Sequence, residues 1–152
     1  MKKIKKLSEN KNYTAVNIGS LQDIGEYELI HPKTNATIKG KVFLKEASQS
    51  TGTEISFNAL PPKTEVGYFH IHNKDEETYI ILQGSGYYQV DEDCFPIEEG
   101  SVIRVSPAGV RSLCNTSETT MIYICVQSKE NSLEEHTTDD GRRINCEPKW
   151  KK

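Results

Sequence analysis

The chain is short of most features that would settle its function quickly. No apolar run approaches the roughly 18–20 residues that a membrane-spanning helix needs. The four cysteines, Cys94, Cys114, Cys125 and Cys146, contain no Cys-x-x-Cys pair, and a chain of 152 residues is large enough to bury a core without disulfide staples. Free thiols are therefore expected. Cys94, Cys114 and Cys125 lie in strand-like runs, where a cysteine acts as a small buried apolar residue. A net charge of only −3 provides neither a basic field for nucleic acid nor an acidic tail for cations. The N-terminal Met-Lys-Lys-Ile-Lys-Lys-Leu is basic but is followed at once by the polar Ser8 to Asn12, unlike a signal peptide, so a cytoplasmic location is expected. Gly-x-Ser-x-Gly and Gly-x-x-x-x-Gly-Lys-Ser/Thr are both missing, which argues against nucleophilic hydrolysis and P-loop chemistry.

What is present is a series of short β-rich runs. They cover Tyr13 to Gly19, Tyr27 to Ile30, Lys39 to Lys45, Thr53 to Ala59, Glu77 to Leu82, Tyr87 to Val90, Cys94 to Ile97, Ser101 to Val105, Val110 to Asn115 and Thr119 to Gln127, with Gly, Pro, Asn and Asp between them. Strands of this length and spacing indicate an all-β sandwich or barrel. In Thr53 to Ala59 the alternation sets Ile55, Phe57 and Ala59 on one face and Glu54, Ser56 and Asn58 on the other. One domain is expected over residues 1–152: accessory strands in 1–50, a barrel in 51–128 and a tail in 129–152. The tail has a short helix opening at Ser132, which can cap it with Glu135 closing a capping box. Trp150, the only tryptophan, is expected to dock on the barrel or on a second subunit. That residue and the surplus N-terminal strands point to a homodimer.

Potential ligands meet turn signals between Glu65 and Gly86. His70 and His72 are two apart, so in extended chain both imidazoles face the same way, roughly 6.5–7 Å apart along the backbone. Asn73-Lys-Asp-Glu76 is turn-prone, and the β-branched, aromatic run from Glu77 to Leu82 reads as a returning strand. Neighbours on a strand face opposite sides, so only one of Glu76 and Glu77 points inward. Two imidazoles and a carboxylate suit Zn, Fe, Ni or Mn, and with open positions they form the ligand set of non-heme Fe(II) oxygenases.

The pattern His-x-His, four residues, Glu, six residues, Gly falls on His70, His72, Glu77 and Gly84 and resembles the first motif of the cupin superfamily. Gly100, Pro107-Ala-Gly109 and Asn115 echo its second motif. The resemblance spans Thr51 to Gln127. It implies a double-stranded β-helix, or jelly-roll barrel, with a divalent metal at His70, His72 and Glu77. Two positions depart from the pattern. Thr64 stands where the first motif opens on Gly, and the fourth ligand, a His in the second motif, is missing. An ungapped count from Gly100 puts Arg111 at that position and aligns Asn115; a count from Pro107 puts Ser112 there. Arg111 is chosen, pointing beside the metal towards an anionic ligand group or towards Glu77.

The family spacing favours Glu77 over Glu76 as the ligand, which brings Tyr79 and Ile81 into the pocket together with Gln83; Tyr79 serves there as core packing or as a substrate contact. An inward Arg111 would clamp a carboxylate or phosphate, whereas an inward Ser112 would bring Cys114 with it and leave the pocket neutral. Cupins include dioxygenases, isomerases, decarboxylases, sugar-binding regulators and storage proteins, so fold alone names no reaction. Two functions are carried forward: a metal-dependent dioxygenase, isomerase or lyase acting on a small carboxylate or sugar, and a binding module without turnover.

Overall fold

A computed structural model describes residues 2–32 and 34–150. Two antiparallel sheets enclose the core. In the larger, the order is β10 (Val102–Val105), β7 (Asp75–Gln83), β12 (Met121–Lys129), β6 (Glu54–Leu60), β5 (Lys41–Phe43). In the smaller it is β11 (Arg111–Asn115), β8 (Ser85–Val90), β9 (Asp93–Glu98). Tyr79, Ile81, Ile103, Val105, Met121 and Tyr123 of the first sheet pack against Tyr88, Ile97 and Leu113 of the second. The Tyr79 and Tyr88 rings meet edge to face across the gap, with centroids 5.1 Å apart.

One end of the barrel is sealed by side-chain-to-backbone bonds. Asn115 is buried and its amide donates to the carbonyls of Leu60, Pro61 and Thr119 at 3.0, 2.9 and 2.8 Å. Gly86 faces the Cys114 carbonyl so closely that any Cβ would collide with backbone.

The other end is polar because of register. Cross-strand rows on the inner face of the large sheet run Lys41, Asn58, Tyr123; then Phe43, Ser56, Cys125, Tyr79; then Glu54, Gln127, Glu77. The alternation of β6 is thereby resolved with its polar residues inward: Ser56 and Asn58 are buried, while Phe57 is only half-buried. A polar set turned into a barrel defines a wet cavity, since buried polar groups are tolerated only where partners or water meet them.

Several expectations are corrected. The residues around His70 and His72 form no regular strand, only isolated bridges from Glu65 to Cys114 and from His70 to Arg111. The expected strand from Lys39 to Lys45 is broken at Gly40, whose φ of 73° and contact with the Ala59 carbonyl exclude a side chain. β4 (Thr37–Lys39) precedes it, and α1 (Lys45–Ser48) takes the far end. The Glu54 carboxylate accepts from Leu44 N and Lys45 N at 3.0 and 2.9 Å, tying down that helix start.

Lys5–Asn10, which straddles the basic N-terminal run and the polar Ser8 to Asn12 and was not expected as a strand, is β1; it pairs with β2 (Tyr13–Asn17). A 3-10 helix (Leu21–Glu26) follows, then β3 (Glu28–Ile30), which pairs with β4. Residues 132–136 form no helix. Trp150 is 77% exposed, so it does not dock on its own barrel. Cys94 is exposed as well, because its side of β9 faces away from the core. Among the described residues no helix is long and apolar enough to cross a membrane.

Candidate metal centre

The segment from Glu65 to His72 is extended and held by backbone bonds to β11 and the loop before it. Val66 N donates to Leu113 O at 3.0 Å, His70 and Arg111 exchange bonds of 3.3 and 3.1 Å, and His72 N donates to Pro107 O at 2.9 Å. Extended chain alternates its side chains even without a full ladder. Phe69 and Ile71 are consequently exposed, and His70 and His72 turn inward, their rings edge to face at 5.3 Å.

Glu77 rises from β7 to meet them. Its Oε2 lies 3.4 Å from His70 Nε2 and its Oε1 lies 3.2 Å from His72 Nε2. One ligand atom from each of the three residues can be chosen so that all lie within 4.8 Å of one another. Glu76, one residue earlier, points to the outer surface and bonds Arg104.

Arg111 is wholly buried. Its Nε and Nη2 both donate to Glu77 Oε2, at 3.1 and 3.0 Å, and its Nη1 donates to the carbonyls of Pro107 and Gly109 at 3.1 and 2.9 Å. Tyr79 Oη adds a 2.7 Å bond to the same Oε2. That oxygen is saturated, which leaves Oε1 as the atom free to serve a metal, facing His72 with the Cys125 thiol 3.4 Å away.

Burial alone would raise the Glu77 carboxyl. The His70 and Tyr79 hydrogen bonds and the charges of His72 and Arg111 outweigh it and hold the group well below the ordinary carboxylate range. Cys125 shows the opposite result: burial and the Glu77 charge push its thiol up to about 12, so it remains a weak S–H donor and not a thiolate ligand. Burial likewise drives Tyr79 upward and keeps its proton on oxygen.

The donor set fits a divalent ion by an observation independent of spacing. His72 Nε2 and His70 Nδ1 are buried with no hydrogen-bond partner. A ring nitrogen aimed at a carboxylate and left unpaired is costly, and a cation held by His70, His72 and Glu77 would give His72 Nε2 the partner it lacks.

The remaining sequence candidates separate. Tyr79 is both core and site, packing on Tyr88 while holding Glu77. Ser112 is buried beneath the 65–69 segment, its hydroxyl donating to Val66 O at 3.2 Å, and it borders a lobe of the cavity beside Glu77. Gln83 is not brought to the cluster; at the far end of β7 it bonds Thr120 O at 2.8 Å and Gln22 at 2.9 Å.

Two adjoining lobes of about 210 and 190 Å³ open beside Glu77. Lys41, Tyr68, His70, Glu77 and Cys125 border both. Sequence reasoning missed Lys41, Ser56 and Asn58 as lining residues, although the polar face of β6 was a visible signal.

Residues 57–127 match the family model described as the cupin domain. A crystal structure of a cupin protein from Bacteroides fragilis aligns at 31% identity and a TM-score of 0.66, covering 76% of this chain and 98% of that one. The chain belongs to the cupin superfamily. Other cupin-like folds align at lower identity. A predicted oxalate decarboxylase from Thermotoga maritima has 24% identity and a TM-score of 0.55, with 68% and 90% of the two chains covered. A conserved protein with a double-stranded β-helix domain from Klebsiella pneumoniae has 16% identity and a TM-score of 0.52, with 72% and 89% covered. These two support the fold alone. A search of curated proteins finds no match.

Proposed function

We propose that this cupin holds one divalent ion, Fe, Mn, Ni or Zn, through His70, His72 and Glu77, and that it binds or transforms a small polar molecule in the adjoining cavity. The observation that carries the reading is the unpaired, buried His72 Nε2 beside Glu77 Oε1. When bound, such an ion supplies Lewis acidity or a site for O₂ activation. The protein's own groups set the stage: Arg111 and Tyr79 hold Glu77 ionised and fixed by Oε2, Cys125 stays protonated, and Tyr88 and Leu113 exclude water from beneath. A dioxygenase or isomerase acting on a carboxylate or sugar fits this arrangement. Reconstitution with each of the four ions, elemental analysis, and a substrate screen on the loaded protein test it; failure of every ion to bind stoichiometrically overturns it.

Binding without turnover is the second reading, favoured by Arg111 in place of the fourth His. The protein is read further as a homodimer. The β1–β2 hairpin leaves Leu7 and Tyr13 exposed, Trp150 is uncovered on its own chain, and two-stranded hairpins are marginal alone. Sedimentation equilibrium returning a single 17.2 kDa species would count against dimerisation.

A further inference from the structure

The charged groups around the cavity are not all ion-paired. Arg111 and Glu77 neutralise each other inside the wall. Lys39 is committed to Glu28 at 3.0 Å. Glu54 borders the smaller lobe, and its carboxylate is held by the two backbone N–H groups at the start of α1 and not by Lys41. Lys41 is the lysine of this wall that has no ion pair among the described residues. It borders both lobes and is half-buried. Its Nζ rests 4.7 Å from the Phe43 ring centroid, and its charge reaches the Cys125 thiol beside Glu77.

A lysine without a counter-ion at the rim of a cavity lined by buried Ser56 and Asn58 is placed to receive a negative ligand group. Each lobe alone is below the roughly 300–1,000 Å³ typical of drug-sized ligands, and the two together reach only the lower part of that range, which suits a small molecule.

We propose that Lys41 is the anion-binding residue of this cavity and that its ligand is a small carboxylate, not a neutral sugar. This rests on reading the cavity beside Glu77 as the ligand site and extends it to a ligand class and a residue. An anion can be a carboxylate or a phosphate, and the test separates them. Malonate, inorganic phosphate and xylose are titrated calorimetrically into wild type, Lys41→Gln and Lys41→Arg, each metal-free and Mn(II)-loaded, with metal content measured on every sample. Malonate is expected to bind wild type, to weaken about tenfold or more in Lys41→Gln, and to recover most of its affinity in Lys41→Arg, while metal content stays the same in all three.

Equal malonate affinity in wild type and Lys41→Gln overturns the proposal, as does no binding to wild type at millimolar malonate. Phosphate binding tighter than malonate with the same Lys41 dependence overturns the carboxylate assignment. Xylose binding tighter than malonate and indifferent to Lys41 overturns the anion class altogether. The metal-free arm distinguishes the two failures. A wild type that takes up no metal yet binds malonate in a Lys41-dependent way sinks the metal reading and supports this one.

Discussion

Glu76 and Glu77 stand side by side on β7 and each bonds an arginine, yet the first pair lies in solvent and the second inside the barrel. Arg104 bonds Glu76 at 2.7 Å and Glu130 at 3.1 Å, with half of its side chain exposed. Arg111 and Glu77 are 0% and 8% exposed. The chemistry is the same, but the surroundings differ. Exposed pairs gain little over hydration and are screened by salt. A buried pair has given up its hydration, so it needs every lone pair and N–H satisfied, and breaking it strands a charge. Arg111 meets that demand through Pro107 and Gly109 as well as Glu77. The inner pair therefore fixes one oxygen of the carboxylate that faces His70 and His72, whereas the outer one decorates a surface.

Metal binding offers the largest way to break this comparison. If Glu77 is a ligand and Glu76 is not, His72→Ala and Glu77→Ala each lower affinity by several orders of magnitude, since only three protein ligands are available. Glu76→Ala leaves it unchanged. Elemental analysis after dialysis against a weak chelator reads the difference, and equal metal content across the three variants would refute the assignment.

Stability sharpens the contrast next. Arg111→Ala leaves Glu77 buried and unpaired and is expected to cost about 3–5 kcal/mol in the metal-free protein. The double variant Arg111→Ala, Glu77→Gln should be less damaged than Arg111→Ala alone, because no charge is stranded. Denaturant melts of the three proteins settle this. An Arg111→Ala midpoint close to wild type would mean that water replaces the guanidinium.

The third consequence is a dependence on pH. Glu77 titrates in the folded state well below its ordinary value of 4.5. A carboxyl with a depressed folded pKa contributes stability that is fully present above its unfolded value and is lost as pH falls through the range beneath. Metal-free wild type should therefore lose its advantage over Glu77→Gln between about pH 5 and the acid limit of folding. A difference that stays constant down to pH 3 would contradict the depressed value.

How far these contrasts could be read from sequence depends on how local each cause is. The barrel was legible because alternation and turn residues are local signals, and the triad because parity in extended chain puts His70 and His72 on one side whether or not a ladder forms. Parity also separates Arg111 from Ser112. Alignment of Asn115 chose Arg111, and Asn115 proves to be the residue that stitches Leu60, Pro61 and Thr119 together. The role of Lys41 was not legible, since it comes from the register of β5 on β6, a pairing between distant segments. β1 was missed because its polar residues carry no apolar alternation; nothing in Lys5–Asn10 says strand until Tyr13–Asn17 folds back upon it. Trp150 was expected to find a surface, and its own barrel does not supply one.

The smallest effect is expected at the outer pair. Arg104→Ala removes contacts to Glu76 and Glu130, but both acids remain on a solvent-facing wall, where water takes over the released carboxylates without stranding charge. The side chain contributes nothing to the core, and the backbone of β10 keeps its ladder with β7. The melting midpoint should not shift resolvably, and raising the salt concentration should leave the wild-type and variant curves superimposed. Metal content and malonate binding should match wild type, because parity keeps the Glu76 wall apart from the Glu77 cavity. A destabilisation comparable to that of Arg111→Ala would show that the two glutamates are coupled through β7, and the separation of an inner functional pair from an outer solvated one would then fail.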